Sequence, residues 1–227
     1  MDRATAEKLL EKVKNDYNQI AEEFSQSRDK LWPEFENFLQ YIKPEMRVLD
    51  LGCGNGRLYE LLKDIGINYT GIDNSARLIQ LAQERWEKEP KLLFKVGDVL
   101  SLEEPTNNYD IVLLIAVLQH IPSKQLRLRS LQNIKNILKP EGLLIITNWN
   151  LWQRKYRKYI FYNWVKKILQ VSRLDFNDTL IPWRDTLNRY YHAFTKKETY
   201  FLLNKSGFDV VSDHSTQNNI VTVAHKH

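Results

Sequence analysis

The chain has 227 residues, 43% of them hydrophobic and 27% charged, which is enough to bury a core in one domain. Its single cysteine excludes an internal disulfide, and its longest apolar run, 111–118, is too short to span a bilayer. The polar N-terminus does not resemble a signal peptide. We therefore expect a cytoplasmic globular protein, and a membrane is not its expected partner.

The net charge of +5 is unevenly distributed. Residues 151–174 contain seven cations and no acidic side chain. A cluster of one sign favours binding to a polyanion, either a nucleic acid or an anionic membrane surface.

The N-terminal part is predicted to be helical. Residues 4–24 form one predicted helix, because their apolar side chains recur at helical spacing. A second helix is expected to begin after Trp32-Pro33, since proline suits a first helical turn, and to run to about Ile42.

From residue 47 onward, predicted strands and helices alternate. Short apolar runs indicate strands, and longer runs with helical spacing indicate helices, one of them capped by Ser75. This alternation predicts a parallel sheet covered by helices on both faces. Strands are expected at 47–51, 68–72, 92–96, 110–115 and 143–148, and helices at 57–65, 75–88 and 124–138.

The alternation stops after residue 150 and resumes near the C-terminus. A helix is predicted at 195–205, followed by strands at 208–213 and 220–224. A short connection between the last two strands can place one of them antiparallel to the others. The whole pattern predicts an α/β protein with a doubly wound, mostly parallel sheet of seven strands, N-terminal helices and a basic, aromatic helical insertion.

Three alternate glycines, Gly52, Gly54 and Gly56, follow the first strand and let the backbone turn tightly and approach a ligand. A dinucleotide-binding loop would need a further glycine where Arg57 stands, and the P-loop signature is absent. With Asp50 ahead of it, the loop favours a nucleoside with a cationic amino-acid tail rather than a pyrophosphate. A turn that binds nothing is the alternative.

Two further aspartates follow the next two strands. Asp73 ends the second strand, where an acid can reach both ribose hydroxyls. Asp98 follows the third strand, where it can accept a hydrogen bond from an adenine amino group. Asp50, Asp73 and Asp98 therefore all lie at the carboxyl ends of predicted strands, which is where open α/β sheets bind ligands. Each aspartate taken singly could instead cap a turn.

Residues 44–150 resemble the class I S-adenosylmethionine-dependent methyltransferases. The likeness rests on 48–56, Asp73, Asp98, the stretch 109–122 and the turn 138–144. It implies a Rossmann-like fold, S-adenosylmethionine as cofactor and S-adenosylhomocysteine as product. The expected cofactor-binding residues are Asp50, Gly52, Cys53, Gly54, Gly56, Asp73, Asn74, Asp98, Val99 and Ile115.

Missing motifs exclude several acceptor classes. The chain reads Ile115-Ala-Val-Leu where amide and adenine N-methyltransferases carry Asn/Asp-Pro-Pro-Tyr/Phe. It also lacks the second cysteine of the RNA cytosine C5 enzymes. The five histidines are scattered without metal-ligand spacing, so no metal is expected.

Segments outside the core narrow the resemblance. Residues 17–33, 178–184 and 189–194 resemble the family of tRNA wobble-uridine carboxymethyl methyltransferases. This resemblance implies a carboxymethyl acceptor in a tRNA anticodon loop, with a small zinc-binding activator protein as a candidate partner. It departs at 151–177, where the chain is unusually basic and aromatic.

Making an ester from a carboxylate requires positioning more than it requires a base. A carboxylate with a pKa near ~4 is already ionised at neutral pH, and arginine holds it in two-pronged geometry. Each arginine could instead form a surface ion pair, and His120 could merely cap a loop. With the resemblance, the expected catalytic residues are Arg28, Arg189, His192 and Tyr17, and the expected substrate-binding residues are Trp32, His120, Trp183, Arg184 and Tyr191.

The basic segment 151–174 has three interpretations. Its aromatic rings, interleaved with cations, suit stacking on unpaired bases. Phe161, Trp164, Val165 and Ile168 also suit one apolar face of a lid helix, packed on the core with a solvated basic side. The third interpretation is a helix that lies on anionic lipid.

Three functional hypotheses follow. The first is a methyltransferase that esterifies the carboxymethyl group of a wobble uridine in tRNA. The second is an O-methyltransferase for a small carboxylic acid, phenol or quinone precursor, and the third is a non-catalytic RNA- or partner-binding domain on the same scaffold. We expect one domain over 1–227, made of a helical cap (1–43), a cofactor-binding core (44–150), a substrate-side insertion (151–194) and a C-terminal helix with strands (195–227).

Overall fold

The computed structural model describes residues 1–27, 32, 35–89, 92–184 and 186–227. Its helices are α1 (Arg3–Gln19), α2 (Ala21–Gln26), α3 (Glu36–Leu39), α4 (Ala76–Arg85), α5 (Lys124–Ile137), α6 (Arg157–Ile168) and α7 (Lys196–Lys205). Its strands are β1 (Arg47–Leu51), β2 (Asn68–Asp73), β3 (Leu93–Val96), β4 (Tyr109–Ile115), β5 (Leu138–Trp149), β6 (Asp178–Trp183), β7 (Leu187–His192), β8 (Phe208–Ser215) and β9 (Asn219–Lys226). Within these ranges, no helix is both long and apolar enough to cross a bilayer.

Seven of these strands form one sheet, in the order β3-β2-β1-β4-β5-β9-β8. β1 pairs in parallel with β2 and with β4, so the strand order reverses between β1 and β4. β9 runs antiparallel to both β5 and β8. The predicted doubly wound, mostly parallel sheet of seven strands is therefore confirmed, including its antiparallel end.

Helices cover both faces of this sheet, which explains why the central strands are apolar almost throughout. Along β1, Val48 joins the apolar cluster under α3 and α4, whereas Leu49 and Leu51 join the cluster under α5 and α7. The side chains divide in this way because successive strand residues point to opposite faces. This packing fixes the carboxyl ends of β1 to β4 along one edge of the sheet.

Two helical predictions in the first third of the chain are wrong. The single helix expected over 4–24 is broken at Ile20 (φ −101°, ψ 11°), where the chain turns from α1 into α2. Ile20 is buried, so packing of its side chain favours the corner over a continuous helix. The helix expected over 57–65 is a 3-10 turn, Arg57–Leu61, which begins after Gly56 in a left-handed conformation (φ 69°).

The second predicted N-terminal helix is shorter than expected. In the described residues it is confined to α3, and the chain turns at Gln40 before reaching Ile42. The predicted cap of α4 is confirmed, because the Ser75 hydroxyl accepts a hydrogen bond from the N–H of Leu78.

The insertion contains the predicted helix, α6, and also a β-hairpin that the sequence did not predict. β6 and β7 pair antiparallel, from Asp178 opposite His192 to Trp183 opposite Leu187. Pro182 inside β6 obscures the strand pattern, because proline is rare within strands. The hairpin is important because β7 carries several of the predicted site residues.

Three of the four apolar residues that the lid-helix interpretation places on the core point away from it, so most of that packing is wrong, but the fourth, Trp164, packs against the cluster around Ile160. Phe161, Val165 and Ile168 are exposed, whereas Ile160 and Asn163 are buried. Asn163 tolerates burial because its amide donates to a backbone carbonyl and its carbonyl oxygen accepts from the hydroxyl of Ser172. A polar residue therefore supplies part of the inward face.

Candidate active site

A cleft opens at the carboxyl ends of β1, β2 and β3, beside the point where the strand order reverses. Its empty space, open mouth included, is about 1240 Å³. Asp50, Asp73 and Asp98 all line it, so the structure brings the three predicted acids together. The other predicted cofactor residues that line the cleft are Gly52, Cys53, Gly54, Asn74, Val99 and Ile115.

Asp50 is buried at the end of β1 and accepts a hydrogen bond of 2.7 Å from the Tyr69 hydroxyl. The pKa of Asp50 is raised to about 7. Burial is the largest cause and the negative charge of Asp73 adds to it, whereas the hydrogen bond from Tyr69 and the positive charge of Arg57 partly offset the increase. A cation beside this carboxyl would stabilise its ionised form. The group therefore suits a positively charged ligand tail.

Asp73 fixes the glycine loop while it lines the cleft. One of its carboxylate oxygens accepts from the N–H of Gly54 at 2.9 Å, and the other accepts from the N–H of Ser75 at 2.8 Å. Each oxygen keeps a second lone pair, so both can still accept ribose hydroxyls. Burial raises the pKa of Asp73 in spite of these hydrogen bonds.

Asp98 both caps a turn and lines the cleft. One carboxylate oxygen accepts from the N–H of Leu100 at 2.8 Å, which is the local bond expected of a turn residue. The same side chain lies among the residues that line the cleft. The two sequence interpretations of this aspartate are thus compatible.

The glycine loop needs glycine for two different reasons. Gly52 has φ 82°, and a Cβ atom there would overlap Cγ2 of Val117. Gly56 lies outside the described lining of the cleft; its carbonyl accepts from the indole of Trp86 at 3.0 Å, and a Cβ atom would crowd Phe94. Gly56 therefore shapes the turn behind the cleft instead of facing a ligand.

The N-terminal helices form one wall of the cleft. Tyr17 of α1 lines it. The side-chain oxygen of Asn18 accepts from the Ser75 hydroxyl at 2.9 Å, and the amide of Asn55 donates to the Ser25 hydroxyl at 2.6 Å. These bonds hold α1 and α2 against α4 and the glycine loop.

Tyr17 and His120 meet at the cleft. The Tyr17 hydroxyl lies 3.0 Å from Nε2 of His120, and Nδ1 of His120 lies 2.9 Å from the carbonyl oxygen of Tyr190. Because a carbonyl can only accept, Nδ1 carries the proton and Nε2 accepts from Tyr17. Burial, together with the positive charge of Arg189, lowers the pKa of His120 to about 3. The imidazole is therefore neutral at physiological pH.

Arg189 of β7 completes this group. Its Nη1 donates to the Tyr17 hydroxyl over 3.4 Å. The guanidinium lies 4.2 Å from the ring of Trp183 and between 5.2 and 5.9 Å from the rings of Tyr191, Trp149 and Tyr17. Arg189 is only 3% exposed, and among the described residues its Nε has no partner and no carboxylate pairs with it. The result is a desolvated cation in an aromatic cage.

The other predicted substrate-binding residues are divided between the cleft and the surface. Trp32 lines the cleft, with the guanidinium of Arg57 over its ring at 5.5 Å. Arg184 lies on the surface, where its Nη1 donates to the Glu23 carboxylate at 2.9 Å. That contact is the ion pair which the sequence left open as the alternative. Arg28 falls outside the described residues.

The structure does not bring His192 to the cleft. Its Nδ1 lies 2.6 Å from the Asp178 carboxylate, and its Nε2 lies 2.8 Å from that of Glu198 and 3.2 Å from Nη1 of Arg127. Burial alone would raise the pKa of Asp178, but the hydrogen bond to His192 and the charge of Arg127 bring it below its ordinary value. This network joins α5, α7 and the hairpin, so we assign His192 to the stability of the insertion and not to catalysis.

Gln119 and Trp149, two of the cleft residues, were not among the predicted site residues. Gln119 is buried, its Oε1 accepts from the N–H of Trp149 at 2.6 Å, and its Nε2 has no partner in the described part of the chain. Trp149 lines the cleft and contacts the Arg189 guanidinium. The sequence signals for these two residues are weak, because Gln119 is marked only by its neighbour His120 and Trp149 only by its place at the end of β5. Within the described ranges, no three acidic, histidine or cysteine side chains group as metal ligands.

A family model described as "Methyltransferase domain" matches residues 42–207. A protein of Encephalitozoon cuniculi named as a methyltransferase is 30% identical over 88% of this chain and 88% of its own length. The tRNA (carboxymethyluridine(34)-5-O)-methyltransferase of Schizosaccharomyces pombe is 26% identical over 92% of this chain and 94% of its own length. The bovine "Probable tRNA methyltransferase 9B" is 28% identical over 82% of this chain, which spans only 36% of that relative.

Solved structures share the fold. A SAM-dependent methyltransferase from Methanosarcina mazei has a TM-score of 0.70 at 25% identity, over 87% of this chain and 98% of that one. A Burkholderia thailandensis 1,6-didemethyltoxoflavin-N1-methyltransferase with bound S-adenosylhomocysteine has a TM-score of 0.70 at 18% identity, over 100% of this chain and 91% of that one. A Haloferax volcanii protein, solved in complex with the Trm112 methyltransferase activator, has a TM-score of 0.69 at 18% identity, over 95% of this chain and 98% of that one.

The family model covers most of the chain, and the cleft has the acids expected for the cofactor of that family. The chain belongs to the methyltransferase-domain family and is a class I, S-adenosylmethionine-dependent methyltransferase.

Proposed function

We propose that this chain methylates the carboxylate of a carboxymethyl group on the wobble uridine of tRNA. The name of the Schizosaccharomyces pombe relative, which aligns over nearly the whole of both chains, supports this acceptor. The observation that carries the proposal is the buried guanidinium of Arg189, which has no described carboxylate partner.

A buried, unpaired cation is costly, and an anionic ligand compensates for that cost. Arginine binds carboxylates with two parallel hydrogen bonds, which fixes their orientation as well as their position. The rings of Tyr17 and Trp149 contact the Arg189 guanidinium and also line the cleft, so the anion site adjoins the cofactor cleft. An acceptor carboxylate held there would come close to the cofactor.

The state of His120 favours an acceptor that is already ionised. With a pKa of about 3, its imidazole is too weak a base to deprotonate a phenol efficiently near neutral pH. A carboxylate needs no such deprotonation, because it is ionised at that pH. The neutral ring instead fixes the Tyr17 hydroxyl, which in turn accepts from Arg189.

The three acids fit S-adenosylmethionine, which supplies an electrophilic methyl group when it is bound. Asp50, with its raised pKa, would face the cationic amino-acid tail. Asp73 would accept hydrogen bonds from the ribose hydroxyls, and Asp98 would accept one from the adenine amino group. Gly52 and Gly54, which line the cleft, would allow close approach of the backbone.

Two partners belong to this proposal. The first is the anticodon loop, whose unpaired bases can stack on exposed rings. The second is a small activator protein, which the Haloferax volcanii complex suggests through shared fold alone. Co-expression with such an activator is expected to raise the yield of active enzyme, and an unchanged yield and rate would argue against the partner.

The test uses purified protein, labelled cofactor and tRNA that carries free carboxymethyluridine. Arg189→Gln should lower kcat/KM for the tRNA by about 100-fold, since it removes the charged partner of the acceptor. S-adenosylhomocysteine affinity should stay within about twofold. Arg184→Gln is the matched control, because Arg184 pairs with Glu23 at the surface.

Full activity of Arg189→Gln, or an equal loss in both variants, would contradict the proposal. The salt dependence of acceptor binding distinguishes a tRNA from a small molecule, because binding to a nucleic acid weakens steeply as the salt concentration rises. An acceptor KM that is independent of salt would favour the small-acid alternative.

A further inference from the structure

α6 presents a row of large apolar side chains to solvent. Phe161, Val165 and Ile168 follow one another at intervals of four and three residues, with Tyr162 and Leu169 beside them. We call these five residues the apolar stripe. Ile168 is 70% exposed and Leu169 is 65% exposed. Soluble proteins seldom leave a contiguous group of this kind uncovered without a function.

Exposed cations border the apolar stripe on both sides. At roughly 100° per residue, Arg157 falls at one margin, Lys166 at the other and Lys158 near the N-terminal end. The Lys166 ammonium lies 4.4 Å from the centre of the Tyr162 ring, so the charge and the apolar surface are directly adjacent. Residues 151–174 contain no acidic side chain that could neutralise these cations locally.

The outward direction of the apolar stripe is fixed by packing on the opposite side of the helix. Ile160 is fully buried in a cluster with Leu151, Ile181 and Tyr191. The amide of Asn163 donates to the carbonyl of Asp175 at 2.8 Å. Turning the stripe inward would break this packing and would bury cations.

We propose that the apolar stripe of α6 binds the surface of an anionic lipid bilayer. Val165, Ile168 and Leu169 enter the boundary of the acyl chains, while the bordering cations meet lipid phosphates. The helix has 12 residues, which is too short to span a bilayer, so it lies in the plane of the interface. Lipid binding here is independent of the tRNA acceptor; it adopts the third interpretation of residues 151–174 and departs from the expectation that a membrane is not a partner.

RNA fits the apolar stripe less well. Base stacking needs flat rings, which Phe161 and Tyr162 supply, and phosphate binding needs cations or hydrogen-bond donors, which lie only at the borders of the stripe. Val165, Ile168 and Leu169 supply none of these, yet they are at the centre of the outward face. Their burial in lipid gives them a favourable environment that a nucleic acid does not offer.

The test is cosedimentation of the full chain with vesicles of phosphatidylcholine, either pure or containing about one-third phosphatidylserine. We expect binding to the anionic vesicles, weak binding to the neutral ones and loss of binding as salt rises. Ile168→Asp with Leu169→Asp should raise the lipid concentration for half-binding by at least about tenfold. Lys166→Glu should act in the same direction.

Val211→Asp is the matched control, because Val211 is an exposed apolar residue of β8, outside the stripe. It should bind vesicles as the unaltered protein does, and S-adenosylhomocysteine binding should show that every variant is folded. Equal vesicle binding by the stripe variants and the unaltered protein, or no preference for anionic lipid, overturns the proposal. It is also overturned if the protein binds no vesicles and the same variants weaken tRNA binding about tenfold. Methyl transfer to tRNA without vesicles reports separately on the proposed function.

Discussion

The hydroxyl of Tyr17 and Nε2 of His120 lie 3.0 Å apart, although 103 positions separate these residues in the chain. The bond connects the first helix with the loop after β4, and Arg189 of the hairpin donates to the same hydroxyl. The part of the cleft that we propose for the acceptor is therefore assembled from three distant segments. Tyr17 holds the neutral histidine on one side and the caged arginine on the other.

Replacing Tyr17 with Phe keeps the ring and removes the hydroxyl that joins His120 to Arg189. We expect kcat/KM for the acceptor to fall about tenfold, because Arg189 loses one of its orienting bonds. Cofactor affinity, measured by calorimetry, should change less than about twofold. Tyr162→Phe, which alters an exposed ring, is the control. An unchanged rate for Tyr17→Phe would show that the hydroxyl does not position the arginine.

Asp50 predicts a pH-dependent affinity for the cofactor. With a pKa of about 7, its carboxyl is neutral in acid and ionised in alkali when the cleft is empty. A cationic tail prefers the ionised form, so affinity should rise by up to about tenfold per pH unit below pH 7 and level off above it. Calorimetry across this range measures the slope, and Asp50→Asn should remove it. The same slope in both proteins would exclude Asp50 as its source.

The same pKa fixes the sign of a stability effect. Between about pH 4 and pH 7 the folded state holds a proton on Asp50 that the unfolded chain releases. Stability of the cofactor-free protein from this group therefore falls as pH rises through that window. Asp50→Asn should exceed the parent by roughly 2 kcal/mol in free energy of unfolding at about pH 8, with a smaller gain near pH 5. Urea unfolding at the two pH values tests this, and a gain that does not depend on pH would contradict it.

Gly52 and Gly66 form a matched pair, because their φ angles are 82° and 80°. Alanine at either position costs about 1 kcal/mol for the left-handed backbone. At Gly52 the added Cβ also overlaps Val117, whereas at Gly66 no atom lies within 4 Å of it. Gly52→Ala should therefore cost roughly 2 kcal/mol more in urea unfolding, and Val117→Ala should restore part of the loss. Equal costs at the two sites would mean that the loop relaxes freely.

His192→Asn distinguishes a structural role from a catalytic one. It should cost about 3 kcal/mol of stability, because the Asp178 and Glu198 carboxylates lose the partner between them. Their lowered pKa values stabilise the fold above about pH 5, and this contribution is lost as pH falls through and below about pH 4, so the deficit should shrink in acid. The kcat of the folded variant should stay within about twofold. A large fall in kcat with unchanged stability would return His192 to the active site.

The meeting of the three acids in the cleft, where we propose that the cofactor binds, could be predicted from the sequence, because its determinants are local. Asp50, Asp73 and Asp98 each end or follow a strand, and a parallel sheet brings such ends to one edge. The acceptor side could not be assembled in this way. Tyr17 and Arg189 could be named as candidates, but their meeting depends on how the cap and an unpredicted hairpin pack on the core.

The errors in the insertion have a common physical cause. Periodicity shows that α6 has an apolar face, but it does not show which face points inward. The inward face is chosen by Ile160 and by Asn163, a polar residue whose burial depends on partners formed only after folding. In the same way, His192 looked catalytic as a member of the motif 189–194, although the alternation of β7 and its carboxylate partners place it in a buried hydrogen-bond network.

The acceptor is identified most directly by mass spectrometry of nucleosides from tRNA, taken from cells with and without the gene. Cells lacking it should accumulate carboxymethyluridine as the free acid and lose its methyl ester, and purified protein should restore an ester that mild alkali hydrolyses. An unchanged ester level, or a methyl group that resists alkali, would contradict the proposed function.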